Sequence, residues 1–148
     1  MTIRDDLENA LKESLKSGDE TRKTTIRLAL AAIKQVEVDK RVKLDDSGII
    51  PVLQKEVKNR RETILDAEKA DRPETIIQVE KEIAILETFL PKEMDLDELR
   101  TIIKQAINEV GATSLAEMGK VMKIVVPQVQ GRASGDTISR TVREFLAQ

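Results

Sequence analysis

Apolar positions along this chain recur at helical spacing, and alternation of apolar and polar residues over four or more positions is rare. Thr2 and Asp5 have the spacing of a capping box and predict a first helix ending near Lys16, before the Ser17-Gly18 break. Asp19 predicts the cap of a long second helix, with Ile26, Ala29, Leu30, Ile33 and Val36 on one stripe. The Leu44–Gly48 stretch is turn chemistry. A third helix follows, with Ile49, Leu53, Val57, Ile64 and Leu65 inward and Pro51 expected in its first turn, where proline is tolerated. Arg72-Pro73 predicts the start of a fourth helix, because proline fits the first helical position and the residue before it avoids helical angles. Ile76, Ile77, Ile83, Leu86, Phe89 and Leu90 form its stripe, which Pro91 ends.

The remainder reads as a separate small bundle. Asp95 with Glu98 has capping-box spacing, and Leu99, Ile102, Ile103, Ala106, Ile107 and Val110 form a stripe before Gly111. Ser114 with Glu117 suggests a second box, starting a helix that runs to about Val126 and stops at Pro127. A last helix begins between Ser134 and Asp136, with Ile138, Val142, Phe145 and Leu146 inward. The expected fold is therefore all-α. An N-terminal domain of about four helices spans residues 1–92 and a three-helix bundle spans 95–148, linked through Leu90–Glu93.

Composition narrows the chemistry. The chain has no Cys, His, Trp or Tyr, and only two aromatics, Phe89 and Phe145. Thiol and imidazole nucleophiles, the usual general base near neutral pH, and Cys/His zinc sites are excluded. Aromatic platforms for stacking single-stranded nucleic acid are missing too. No cofactor and no metal site is expected, and catalysis is the less favoured class of function. Charged residues make up 35% of the chain with a net charge of −2, so any phosphate contact has to come from a local patch. The absence of cysteine fits a reducing compartment, and no uncharged run approaches the ~20 residues of a membrane helix. The expectation is a soluble, cytoplasmic protein without membrane contact.

Residues 118–135, MGKVMKIVVPQVQGRASG, are the most suggestive stretch. Lys120 and Lys123 share a helical face, and Arg132 sits in a glycine-flanked turn beside Gly131 and Ser134. A basic face beside a glycine turn suits an anionic partner, although a solvated face would look similar. Gly119 is open to two readings: close helix–helix packing, or close approach of an RNA backbone where a side chain is missing. Met118 and Met122 are most simply core residues. A second basic cluster holds Lys55, Lys58, Arg60 and Arg61, with Arg27 and Lys34 on the preceding helix. Either it pairs with Glu56, Glu62, Glu80 and Glu82, or it forms a second anionic contact, with Lys58, Arg60 and Arg72 as its members.

These pieces carry a family resemblance. The block M-G-K-V-M-K at 118–123, followed by G-R-A at 131–133, resembles the C-terminal tail of the amidotransferase B subunit, where a Gly-x-x-Met-Lys helix precedes Gly-Lys-Ala and a polar residue. Gly119, Met122, Lys123, Gly131 and Ala133 match directly, while Arg132 and Ser134 stand in for a lysine and an asparagine. T-I-R-L at 25–28, E-V-K-N-R-R-E at 56–62, Arg72 with Glu80, and F-L-P at 89–91 resemble stand-alone members of the GatB/YqeY family.

The resemblance implies a tRNA-associated module. The amidotransferase amidates misacylated Glu- or Asp-tRNA with ammonia from glutamine, its chemistry lies in a separate cradle domain, and its helical tail helps grip the tRNA. Only the tail type of module is present here, without a Gly-rich phosphate loop or a carboxylate cradle. A carbon–nitrogen ligase role would thus be accessory and by similarity only. The reading is a non-catalytic tRNA-binding module that presents Gly119, Lys120, Lys123, Gly131, Arg132 and Ser134 to the sugar-phosphate backbone. The alternatives are an adaptor docking on an aminoacyl-tRNA synthetase or amidotransferase, and an enzyme using Asp/Glu acid–base pairs.

Overall fold

A computed structural model describes residues 2–129 and 131–147. Among these the structure is all helical, with seven α-helices, one 3-10 turn and no strand. The chain divides into two compact units, Met1–Pro91 and Lys92–Gln148, each with its own core. No helix among the described residues is long and apolar enough to cross a membrane.

The first unit contains α1 (Ile3–Ser17), α2 (Glu20–Lys40), α3 (Asp46–Lys69) and α4 (Pro73–Glu87). Thr2 and Asp5 close the expected capping box, and Asp19 accepts from the Arg22 N–H at 3.1 Å to start α2. Leu7 and Ala10 of α1, Ile26, Ala29 and Ile33 of α2, Ile49, Leu53 and Val57 of α3, and Leu86 of α4 enclose the core. Glu37 ties three segments together. Its carboxylate accepts from the Leu44 backbone N–H at 2.7 Å and from the Arg4 guanidinium at 2.5 Å, and Arg4 also donates to the Leu44 carbonyl at 3.2 Å.

Several expectations are corrected here. Asp45 caps α3 through the Gly48 N–H, so the helix starts at Asp46 and Pro51 lies beyond its first turn. The missing Pro51 N–H leaves the Ser47 carbonyl without its helical partner. Leu65 and Ile77, expected inward, are 57% and 56% exposed, whereas Ala67 and Val79 are buried in their place. The α3–α4 hairpin therefore turns a different face inward near its tip than a continuous stripe implies.

The second unit contains α5 (Leu96–Val110), the 3-10 turn Leu115–Glu117, α6 (Met118–Val129) and α7 (Gly135–Leu146). Leu99 and Ile103, Val121, Val125 and Val129, and Ile138 and Val142 form its core, with Met118, Met122 and Phe145 packed against it. Neither predicted capping box closes in this unit. Asp95 accepts from the Asp97 N–H at 3.2 Å, and Glu98 faces Arg132 instead of the cap. Ser114 makes no side-chain cap bond and is followed by the 3-10 turn. α6 runs through Pro127 to Val129, because Val125 and Val129 lie one turn apart on the buried face and packing outweighs the lost hydrogen bond.

Candidate nucleic-acid interface

At 100° per residue, the inward positions of α6 are Val121, Val125 and Val129, and the opposite arc carries Gly119, Lys120, Lys123, Val126 and Pro127. Gly119 lies in the first turn of α6, and a Cβ built on it would meet nothing within 4 Å. Close helix packing therefore does not account for this glycine. Lys120 and Lys123 are exposed and make no hydrogen bond or ion pair among the described residues. Pro127 has no N–H, so the Lys123 carbonyl lacks its usual helical donor. These atoms present two ammonium groups and one bare stretch of backbone on a single surface.

Gly131, Arg132 and Ser134 stand at the other end of α6. The rise from Lys120 to Val129 alone is about 14 Å. Gly131 has φ +78°, a left-handed conformation that releases the chain from α6. Ser134 caps α7 by accepting from the Thr137 N–H at 3.2 Å. Arg132 donates from Nε to the Lys92 carbonyl at 3.1 Å and from both terminal nitrogens to the Glu98 carboxylate at 3.4 Å. Its own carbonyl accepts from the Met94 N–H at 2.7 Å. The expectation that Arg132 stands beside the two lysines is corrected: its guanidinium buckles the segment leading into α5 onto the α6–α7 turn. The structure gathers Gly119, Lys120 and Lys123 and separates Gly131, Arg132 and Ser134 from them.

The second cluster divides as well. Arg60 is only 9% exposed, and its guanidinium donates to Glu82 at 3.1 Å and to Glu56 at 2.8 Å. It is a joint between α3 and α4, with Nε and Nη1 committed to carboxylates and little of the side chain exposed. Arg61 pairs with Glu87 at 3.1 Å. Lys58 and Arg72 are exposed, Arg72 at the position preceding α4. Of the expected members Lys58, Arg60 and Arg72, Arg60 is engaged by Glu56 and Glu82, the pairing that is the alternative reading of this cluster.

Three carboxylates are held below their ordinary pKa, and each has a structural task. The Thr2 backbone N–H lowers Asp5, the Ser47 hydroxyl and the Gly48 N–H lower Asp45, and the Leu44 N–H followed by Arg4 lowers Glu37. Among the described residues, no group of three or more acidic side chains is placed to hold a metal ion. Lowering in the folded state fixes the sign of the pH dependence. The contribution of Glu37 is fully present above its unfolded value near 4.5 and is lost as pH falls through the folded value. The stability gap between the natural chain and Glu37→Gln should thus narrow as denaturation is repeated from pH 7 to about pH 3. A gap that stays constant would show that the carboxylate's charge contributes nothing.

A family model described as "Yqey-like protein" matches residues 4–146. The chain is 31% identical over 97 residues to "Altered inheritance of mitochondria protein 41, mitochondrial" of Vanderwaltozyma polyspora, covering 60% of this chain and 52% of that protein. It is 34% identical over 85 residues to the protein of the same name from Eremothecium gossypii, covering 57% and 46%. The Kluyveromyces lactis protein of that name is 34% identical over 84 residues, covering 56% and 45%. The chain thus spans about half the length of these curated relatives.

Proposed function

The chain belongs to the YqeY-like family, and from that premise we infer that it is a non-catalytic module whose tail bundle holds the sugar-phosphate backbone of tRNA through the outer face of α6. The observation that carries this reading is Gly119, open to solvent beside two unpaired lysines at the start of a helix. Alanine would serve that position better by propensity alone, by about 1 kcal/mol. A bare backbone there has a use only if something approaches closely, and the adjacent ammonium groups suit a phosphate chain. The similarity to the tail of the tRNA amidotransferase supports the same partner.

The contact is weak by itself. Residues 92–148 contain equal numbers of acidic and basic side chains, so no field of the bundle as a whole attracts RNA. Two phosphate contacts correspond to a salt slope of about −1.5. Appreciable affinity needs a companion such as a synthetase or amidotransferase, to which this chain would be accessory.

Anisotropy titrations of labelled tRNA at two salt concentrations test the reading. Lys120→Ala/Lys123→Ala should weaken binding and flatten the salt dependence by about 1.5. Gly119→Ala should weaken binding while raising stability by about 0.5–1 kcal/mol. Arg132→Ala should cost the bundle about 1 kcal/mol and leave tRNA affinity intact, since its exposed pair with Glu98 is structural. If the double lysine variant matches the natural chain in both affinity and salt slope, α6 is not the RNA-binding face.

A further inference from the structure

The outward face of α2 carries a pattern that the reading of α6 does not use. Thr24, Leu28, Ala31, Gln35 and Val38 follow one another at alternating steps of four and three residues, and all are exposed. Leu28 is 51% and Val38 59% exposed, and Val42, in the turn just beyond the helix, is 50% exposed. This is the spacing of a coiled-coil seam, in which a row of side chains stays in line with a neighbouring helix. Arg27, Lys34 and Arg41 precede Leu28, Gln35 and Val42 and recur every seven residues, so they edge the seam along about 21 Å.

The charge of this edge is one-sided. Among the described residues, the side chains of Arg27, Lys34 and Arg41 make no hydrogen bond or ion pair. The acids of α2 are occupied elsewhere: Glu20 with Lys23 at 2.8 Å, Glu37 with Arg4, and Asp39 with the Gln35 amide at 2.9 Å. Lys34 adds a longer-range attraction to Glu37 without contacting it. The opposite edge offers Ala32 and Asp39 and no cation.

We propose that the outer face of α2 docks an acidic amphipathic helix of a partner protein, whose apolar row meets Leu28, Ala31 and Val38 while its carboxylates face Arg27, Lys34 and Arg41. A phosphate backbone would match the cations but leave the apolar row without a partner. A bilayer surface favours aromatic anchors and cations on both flanks, and α2 has neither. A second copy pairing antiparallel would set cation row against cation row. The proposal is independent of the α6 reading and uses none of its residues.

The test uses the full chain and a fluorescein-labelled four-heptad helical peptide with leucine at the seam positions and glutamate on both edges, which its own charge keeps from self-pairing. A matching peptide with lysine edges is the control. The natural chain should bind the glutamate peptide and not the lysine one. Arg27→Glu/Lys34→Glu should weaken the glutamate peptide at least about tenfold and create binding to the lysine peptide. Arg41 is left in place because it holds the left-handed turn (φ 55°) that ends α2. Val38→Asp, at an exposed position that leaves the core intact, should weaken binding of the glutamate peptide. Equal binding of both peptides, or a charge reversal that fails to exchange the preference, overturns the proposal. So does competition by tRNA or phosphatidylserine vesicles that Val38→Asp leaves unchanged, or a homodimer abolished by the same substitutions.

Discussion

Leu53→Ala is expected to destabilise the first unit by about 2–5 kcal/mol, the range for emptying an enclosed leucine site. Leu53 is 0% exposed and lies one turn from Ile49 and Val57 on the buried face of α3. The cavity cannot close easily, because α3 is held at both ends: Asp45 caps its start and Arg60 joins it to α4. At roughly 4–8 °C per kcal/mol for a unit of this size, the melting transition should drop by about 8 °C or more. Leu53→Met, which conserves volume, should stay within about 1.5 kcal/mol. Urea denaturation followed by circular dichroism measures both. An alanine variant as stable as the methionine one would mean that this position is not enclosed.

Arg60→Met should cost about 3 kcal/mol. Deleting the guanidinium removes its bonds to Glu82 at 3.1 Å, Glu56 at 2.8 Å and the Glu56 carbonyl at 3.2 Å. It leaves two carboxylates near each other with their side chains only 22% and 21% exposed. Breaking such a pair is worse than never having built it, because the desolvated charges remain without compensation. Neutralising them in Arg60→Met/Glu56→Gln/Glu82→Gln should therefore recover more than half of the loss. Arg60→Lys should recover little, since one ammonium cannot reach both acids in the planar fork that arginine provides. If the triple variant is no more stable than the single one, stranded charge is not the source of the loss. None of these variants should alter the tRNA binding proposed for α6, because Arg60 lies on α3, outside that face.

The match over residues 4–146 also sets the scale of what these substitutions report on. The family model extends across both cores of this chain, while the likeness to the curated relatives covers about 60% of it and about half of their own length. Variants that spare both cores, at Gly119, Lys120 and Lys123 on α6 and at Arg27, Lys34 and Val38 on α2, separate binding from folding.

The all-helical class was legible in the chain itself. The 3.6-residue recurrence around Ile26, Ile33, Leu53, Leu99 and Ile103, the Thr2, Asp19 and Ser134 caps, and the Gly18 and Gly111 terminators act within one or two turns. Interactions of that range depend only on nearby residues, so the sequence alone determines them. The lysine pair on α6 was legible for the same reason, whereas the seven-residue row on α2 stood out only once the fold left that face exposed. Tertiary structure decided where side chains had competing partners. Glu98 has the local spacing of a cap, yet it meets Arg132, 34 residues away, while Arg60 turns inward to Glu82, 22 residues away. Pro127 has the local signature of a helix stop, but Val129 belongs to the core and carries the helix past it. Long flexible charged side chains and marginal helix ends differ in energy by only about 1 kcal/mol between local and distant choices, and the packed fold makes the selection.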